Sequence, residues 1–186
     1  LIAAPRRLEQ SETIVHELPA LLDSAMAHFD AIVANTGANW GEQHAVLLER
    51  SSRALFLIDQ RASSLRACKH AVELCARCGI AASPFLFVAN RCSKRSLFSS
   101  IDVSCAMQGA HAAELKDGGV EVEQALGTGL AYDLVSSRNA FAQSVRELMG
   151  EVVGEAAGSL ASSEESEAPS RGLFSFRRAR REGVLP

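Results

Sequence analysis

A chain of 186 residues with 47% hydrophobic, 22% charged and 5% aromatic side chains and a formal net charge of −3 has the profile of one soluble globular domain. A core of that size holds without disulfide or metal staples, and collagen-like, coiled-coil and mostly disordered chains have other compositions. No apolar run approaches the roughly 18 to 20 residues of a membrane-spanning helix, so a cytoplasmic body is expected.

In chain order, Leu1 to Ala4 reads as the end of a buried strand, and a start at leucine in place of methionine suggests a truncated amino end. Pro19 suits the first turn of a helix reaching about His28, where a missing N–H costs no hydrogen bond. Ala31 to Ala34 is a short strand candidate, and Gln43 to Arg50 a short helix. The runs Ala54 to Ile58 and Phe85 to Ala89 are apolar without alternation, as in parallel strands buried on both faces. Between them Ala62 to Arg77 reads as a helix stopped by Gly79. Ala110 to Leu115 is a further strand candidate, Glu123 to Leu126 a brief turn before Gly127-Thr128-Gly129, and Ser136 to Val153 the last long helix. Its apolar face carries Phe141, Val145, Leu148, Met149 and Val152. Strand-helix alternation of this kind implies βαβ units, an α/β fold with a mostly parallel sheet flanked by helices.

Composition changes after Ala156. Residues 157–171 are nearly all Ser, Ala, Glu, Gly and Pro and read as a disordered acidic linker. Residues 172–186 form a basic tail, with Leu173, Phe174 and Phe176 directly before Arg177 and Arg178. The folded domain is therefore expected over residues 1–156.

The five cysteines, Cys68, Cys75, Cys78, Cys92 and Cys105, lack the even spacing of a disulfide scaffold. Cys75 and Cys78 form a C-x-x-C pair that leaves a metal or redox role open. Leu65, Cys68, Val72 and Cys75 recur on one helical face, however, where cysteine acts as a small buried hydrophobe. The five histidines fall singly, without zinc spacing, and no G-x-S-x-G elbow is present. Neither a catalytic set nor a metal site, nor a patterned reader of specific nucleic-acid sequences, is legible.

Three pieces carry a more specific signal. Phe29-Asp30-Ala31-Ile32-Val33-Ala34 ends in the small-residue loop Asn35-Thr36-Gly37. Ala54-Leu55-Phe56-Leu57-Ile58-Asp59-Gln60 leads into a helix containing Ser63, Ser64 and Leu65. Phe85-Leu86-Phe87-Val88-Ala89 ends in Asn90-Arg91. Taken locally, Asn35-Thr36-Gly37 is also an ordinary turn and Asn90-Arg91 an ordinary capped loop. In this order, from about residue 1 to residue 156, the pieces resemble the MinD/ParA family of deviant Walker A ATPases, and within it the TadZ/CpaE-like branch of pilus assembly and localisation. The resemblance implies a P-loop NTPase-like fold, N-terminally incomplete. It places a switch-like loop at Asn35, Thr36 and Gly37 and a nucleotide-base pocket at Asn90, Arg91 and Asp117.

A carboxamide such as that of Asn90 pairs with the N6 and N7 edge of adenine. Asn35 stands where the family usually has an aspartate beside Mg²⁺ and the γ-phosphate, and a neutral amide lacks that charge, so hydrolysis is expected to be weak or absent. Near Asp117 the family's usual proline is missing, with Lys116 in its place. A phosphate loop ending in Lys-Thr or Lys-Ser appears nowhere in the chain. ATP and Mg²⁺ would therefore need residues upstream of Leu1.

The expected function is a nucleotide-binding-like localisation or assembly scaffold. Its partners would be a second copy and pilus or secretion assembly proteins, and its tail (Leu173, Phe174, Phe176, Arg177, Arg178) would touch the inner face of the cell membrane. The tail also reads as a solubilising or partner-docking segment. Two alternatives stay open: an active ATPase whose phosphate loop lies upstream, and a degenerate module that binds protein and no nucleotide.

Overall fold

A computed structural model describes residues 11–37 and 40–167. Among them the order of elements is α1 (Ser11–Met26), α2 (Glu42–Arg50), β1 (Ala54–Ile58), α3 (Ala62–Arg77), β2 (Phe85–Cys92), α4 (Ser100–Ala106), β3 (Ala112–Lys116), α5 (Gly119–Gly127), α6 (Ala131–Val135) and α7 (Ala140–Glu167). The three strands form one parallel sheet in the order β1-β2-β3. Helices cross over between consecutive strands, as parallel neighbours require. The fold is α/β.

Three layers follow from where the apolar side chains point. On one face, Ile58, Phe85, Phe87 and Ala89 of the sheet pack with Cys68 and Cys75 of α3 and Val103 of α4. On the other, Leu86, Val88 and Leu115 meet Phe141, Val145, Leu148 and Val152 of α7. Successive residues of β2 thus serve opposite layers, which explains its unbroken apolar run. Val88 and Val103 are fully buried, and each such side chain contributes about 1.5–3 kcal/mol.

β1 is different. Phe56 and Ile58 face α3, whereas Leu55 and Leu57 point to the other face and are 40% and 59% exposed. Only one of its edges is paired among the described residues.

The register of β2 against β3 slips by one residue. Ala89 pairs with Glu114 but Cys92 pairs with Lys116, so the steps are three residues on one strand and two on the other. This is a β-bulge at Asn90-Arg91. Cys92 consequently falls in the same layer as Phe87 and Ala89, not in the opposite one that strict alternation gives. Arg91 takes φ +54°, a left-handed conformation uncommon outside glycine.

Several sequence expectations are corrected. Ala31–Ala34 is not a strand: it has no ladder partner among the described residues, and Ile32 and Val33 are exposed. A run of four residues cannot hold extended pairing without a neighbouring strand. Pro19 sits inside α1, which starts eight residues before it. Glu123–Leu126 belongs to the nine-residue α5, and the stretch from Ser136 breaks before α7 begins at Ala140. The expected strand Ala110–Leu115 forms as Ala112–Lys116. α4 was not anticipated. Its start is fixed by a reciprocal cap in which Asp102 N–H donates to Ser99 Oγ (3.3 Å) and Ser99 N–H to Asp102 Oδ2 (2.8 Å).

α7 continues as helix through Glu167, into the segment expected to be a disordered linker. Ala and Glu are good helix formers, and a helix already nucleated by packing extends at little cost. Leu1–Ala4, residues 168–171 of the linker and the whole basic tail lie outside the described residues. No helix among the described residues is long and apolar enough to cross a membrane.

Candidate functional site

Parallel strands all end at one edge of a sheet, so the residues that follow them converge there. At this edge stand Asp59 and Gln60 after β1, Asn90 and Arg91 in the bulge of β2, and Asp117 after β3. Each is held by identifiable bonds. Asp59 N–H donates to Ser64 Oγ (3.0 Å) in the first turn of α3, which fixes the β1–α3 connection. Its carboxylate accepts from Asn90 Nδ2 at 3.4 Å. Asp117 N–H donates to Cys92 C=O (3.0 Å), and its carboxylate accepts from Gly119 N–H (3.1 Å), turning the chain into α5.

Gly118, beside Asp117, allows that turn to sit close to the next layer. A Cβ there would lie 2.1 Å from Val122 Cγ2 and 3.0 Å from Phe141 Cβ. Arg91 reaches Glu123 of α5 at 3.9 Å, and both side chains are well exposed.

Gln60 is the most heavily used side chain of the edge. Its Oε1 accepts from Phe98 N–H (2.8 Å), and its Nε2 donates to Phe98 C=O (3.2 Å) and Asn90 C=O (2.9 Å). One carboxamide thus ties the β2–α4 loop to the bulge. Asp59-Gln60 stands in the second of the three sequence pieces, but neither residue is among the expected site residues. The signal was there: a polar pair closes the apolar run of β1 just as Asn90-Arg91 closes that of β2.

The titratable groups nearby are shifted for simple reasons. Lys116 Nζ bonds Glu114 Oε2 (2.6 Å), and Ser100 donates its N–H (3.0 Å) and hydroxyl (3.1 Å) to Glu114 Oε1. The Lys116 bond first, then the Ser100 amide, hold the Glu114 carboxyl below its usual range, and the same partner raises Lys116. Burial, reinforced by the Glu114 carboxylate, pushes the Cys92 thiol up. Burial alone pushes Cys68 up to about 12. Cys92 and Cys68 are packed thiols, not poised nucleophiles. Within the C-x-x-C pair, Cys75 is buried and Cys78 exposed.

The structure brings Asn90, Arg91 and Asp117 together. The loop Asn35-Thr36-Gly37 has a different anchor. Gly37 C=O accepts from His44 Nε2 (3.0 Å), while His44 Nδ1 accepts from Gly41 N–H (3.3 Å). His44 is buried and stacks on Trp40 at 5.1 Å, and Trp40 stacks on Phe56 of β1 at 6.3 Å. Asn35 is exposed, and no hydrogen bond among the described residues joins it to the strand-end group. Leu173, Phe174, Phe176, Arg177 and Arg178 lie outside the described residues.

Two concavities are formed by the described residues, the first adjoining this edge through Phe98, which Gln60 holds, and the second away from it. One, of about 390 Å³, is lined by α3 and Phe98; the other, of about 280 Å³, lies at the amino ends of the strands beside Arg53 and His111.

No protein-family model matches the sequence, and no curated protein matches it. Among solved structures, the fold is similar to that in a crystal structure of a ParA family ATPase from Chlorobium tepidum TLS, with a TM-score of 0.68 at 17% identity. The match covers 80% of this chain but 62% of that one, so the present chain spans less than two thirds of its neighbour's length. A likeness at that identity is a likeness of fold.

Proposed function

We propose that this chain is a nucleotide-binding-like localisation or assembly scaffold of the MinD/ParA class, of the TadZ/CpaE-like pilus assembly type, with weak or no ATP hydrolysis. The observation that carries the reading is Asn90 at the carboxyl edge of a parallel sheet. Its Nδ2 has two hydrogens, of which Asp59 takes one. The second and the Oδ1 acceptor suit the N7 and N6 edge of adenine. Among the described residues the Arg91 guanidinium has one exposed pair, with Glu123, worth about 1 kcal/mol or less, weak enough to yield to stacking on a base. Asp117 closes the other side of the pocket.

The open edge of β1 supports the rest of the reading. Leu55 and Leu57 are exposed on a strand whose composition suits two-sided burial, and the apolar Ala31–Ala34 has no ladder partner. A fourth parallel strand placed there would bury both and would deliver a phosphate-binding loop to the carboxyl edge. We assign that strand and its lysine to polypeptide upstream of Leu1, together with the requirement for ATP and Mg²⁺, since residues 1–10, 38–39 and 168–186 contain no lysine. With Asn35 neutral, the switch-like loop contributes no carboxylate to a cation, which is why turnover should be weak.

Calorimetric titration of a chain extended upstream of Leu1 with ATP and Mg²⁺ checks this. Saturable heat is expected, weakened about tenfold or more by Asn90→Ala, since a lost bidentate base contact costs roughly 1–3 kcal/mol. No heat from the unaltered protein sinks the nucleotide reading. It would favour the second one, a protein-interaction module, for which the concavity on α3 is the specific support.

The basic tail is proposed as a peripheral membrane contact at the cytoplasmic side, with Leu173, Phe174 and Phe176 entering the interface and Arg177 and Arg178 facing anionic headgroups. Flotation with anionic vesicles should be lost when Phe174 and Phe176 become serine. Undiminished flotation removes the membrane contact. Homodimerisation across the face bearing Asn35 and Asn90 completes the proposal, and sedimentation with and without nucleotide tests it. An unchanged monomer discards it.

A further inference from the structure

The concavity of about 390 Å³ on α3 has a composition that the nucleotide reading does not use. Leu65 and Phe98 supply its apolar wall, and Arg66, Lys69, His70 and Glu73 line it from successive turns of the helix. Arg61, at the start of α3, and Lys94 and Arg95, in the loop that brings Phe98 to the groove, add exposed cations in the adjoining chain. None of Arg61, Arg66, Lys69, Lys94 and Arg95 makes an ion pair among the described residues. Five unneutralised cations on two neighbouring elements contrast with a chain whose net charge is −3. Leu97, beside Phe98, is 63% exposed.

We propose that this groove docks an acidic protein segment carrying one large apolar side chain. Charge complementarity selects the acidic flanks, because the cations lie on α3 and on the loop with Glu73 as the one acid lining the groove. The apolar wall selects the anchor. A phosphate backbone would satisfy the cations but leave Leu65 and Phe98 without a role, and a flat lipid surface would not enter a concavity. The groove lies on the α3 layer and its occupancy does not require nucleotide.

The probes that test this are poly-glutamate, a random glutamate–tyrosine copolymer of the same length, duplex DNA, and phosphatidylserine vesicles, each titrated against the full chain at low salt. The copolymer is expected to bind several-fold more tightly than poly-glutamate, and both more tightly than DNA or vesicles. Arg66→Glu with Lys69→Glu should weaken copolymer binding about tenfold or more, while Arg138→Glu, an exposed cation of the α6–α7 connection, and Asn90→Ala should leave it unchanged.

Phe98→Ala should remove the copolymer's advantage and spare poly-glutamate. Circular dichroism of each variant separates loss of binding from loss of fold, and Leu65→Ala serves in place of Phe98→Ala if the latter unfolds. Equal binding of the two polymers, a stronger response to DNA or vesicles, or an effect of Arg138→Glu as large as that of the groove pair overturns the proposal.

Discussion

Glu114 shows how one side chain joins two elements. It stands on β3, accepts both polar hydrogens of Ser100 at the start of α4, and takes the ammonium of Lys116 two residues on. These bonds favour the ionised form, so the folded-state pKa lies below the ordinary 4.5. A depressed carboxyl stabilises fully above its unfolded pKa and loses that contribution as pH falls through the folded value. Stability should therefore decline below about pH 4.5, and Glu114→Gln should make that decline shallower. The change at neutral pH should be within about 1 kcal/mol, since a partly exposed ion pair is screened by solvent. Urea midpoints measured against pH check this, and superimposable acid limbs would show that Glu114 is not the responsible group.

At the level of elements, legibility followed how local the cause was. The ends of α3 were readable because its apolar face, with Cys68 and Cys75, and the stop at Gly79 all lie within the segment. β1 and the first five residues of β2 were readable because a two-sided core demands an unbroken apolar run. The last three residues of β2 were not, because a bulge depends on the neighbouring strand and leaves no mark on composition. Ala31–Ala34 failed for a related reason: an apolar run becomes a strand only when another strand takes its hydrogen bonds. The strand ends were only partly legible. The position of Asn90, Arg91 and Asp117 at strand ends follows from the apolar runs before them, whereas the part of Gln60 does not, because its partners are main-chain atoms 30 and 38 residues away.

Gln60→Ala should cost roughly 1–3 kcal/mol, the usual penalty for stranding half-buried main-chain groups. Phe98 N–H should lose protection from hydrogen exchange. A variant that keeps that protection would show that the β2–α4 loop is held by other contacts.

At the scale of the whole molecule, the three layers are unequally filled. β2 is sealed on both faces, α7 seals one side of β3, and β1 presents Leu55 and Leu57 together with an edge that has no ladder partner among the described residues. Such edges are normally blunted by charge, proline or a bulge, and β1 has none of these within Ala54–Ile58. The isolated chain should therefore bind a hydrophobic dye and self-associate with rising concentration. Leu55→Lys with Leu57→Lys should suppress both while changing unfolding stability by no more than about 0.5 kcal/mol per site. Dye binding that ignores the lysines would locate the exposed apolar surface elsewhere.

The bulge at Asn90-Arg91 has a consequence for how such chains are compared. Upstream of it, residues two apart share a layer. Across it the spacing is three, so Ala89 and Cys92 are the equivalent pair. Aligned residue against residue with a strand that runs straight, the chain falls out of phase at this point: a buried position is set beside a solvent-facing one, and the comparison scores a mismatch where the folds coincide. One unit of length, inserted at the very edge where the candidate ligand contacts gather, has to be matched by a gap before the two strands return to phase.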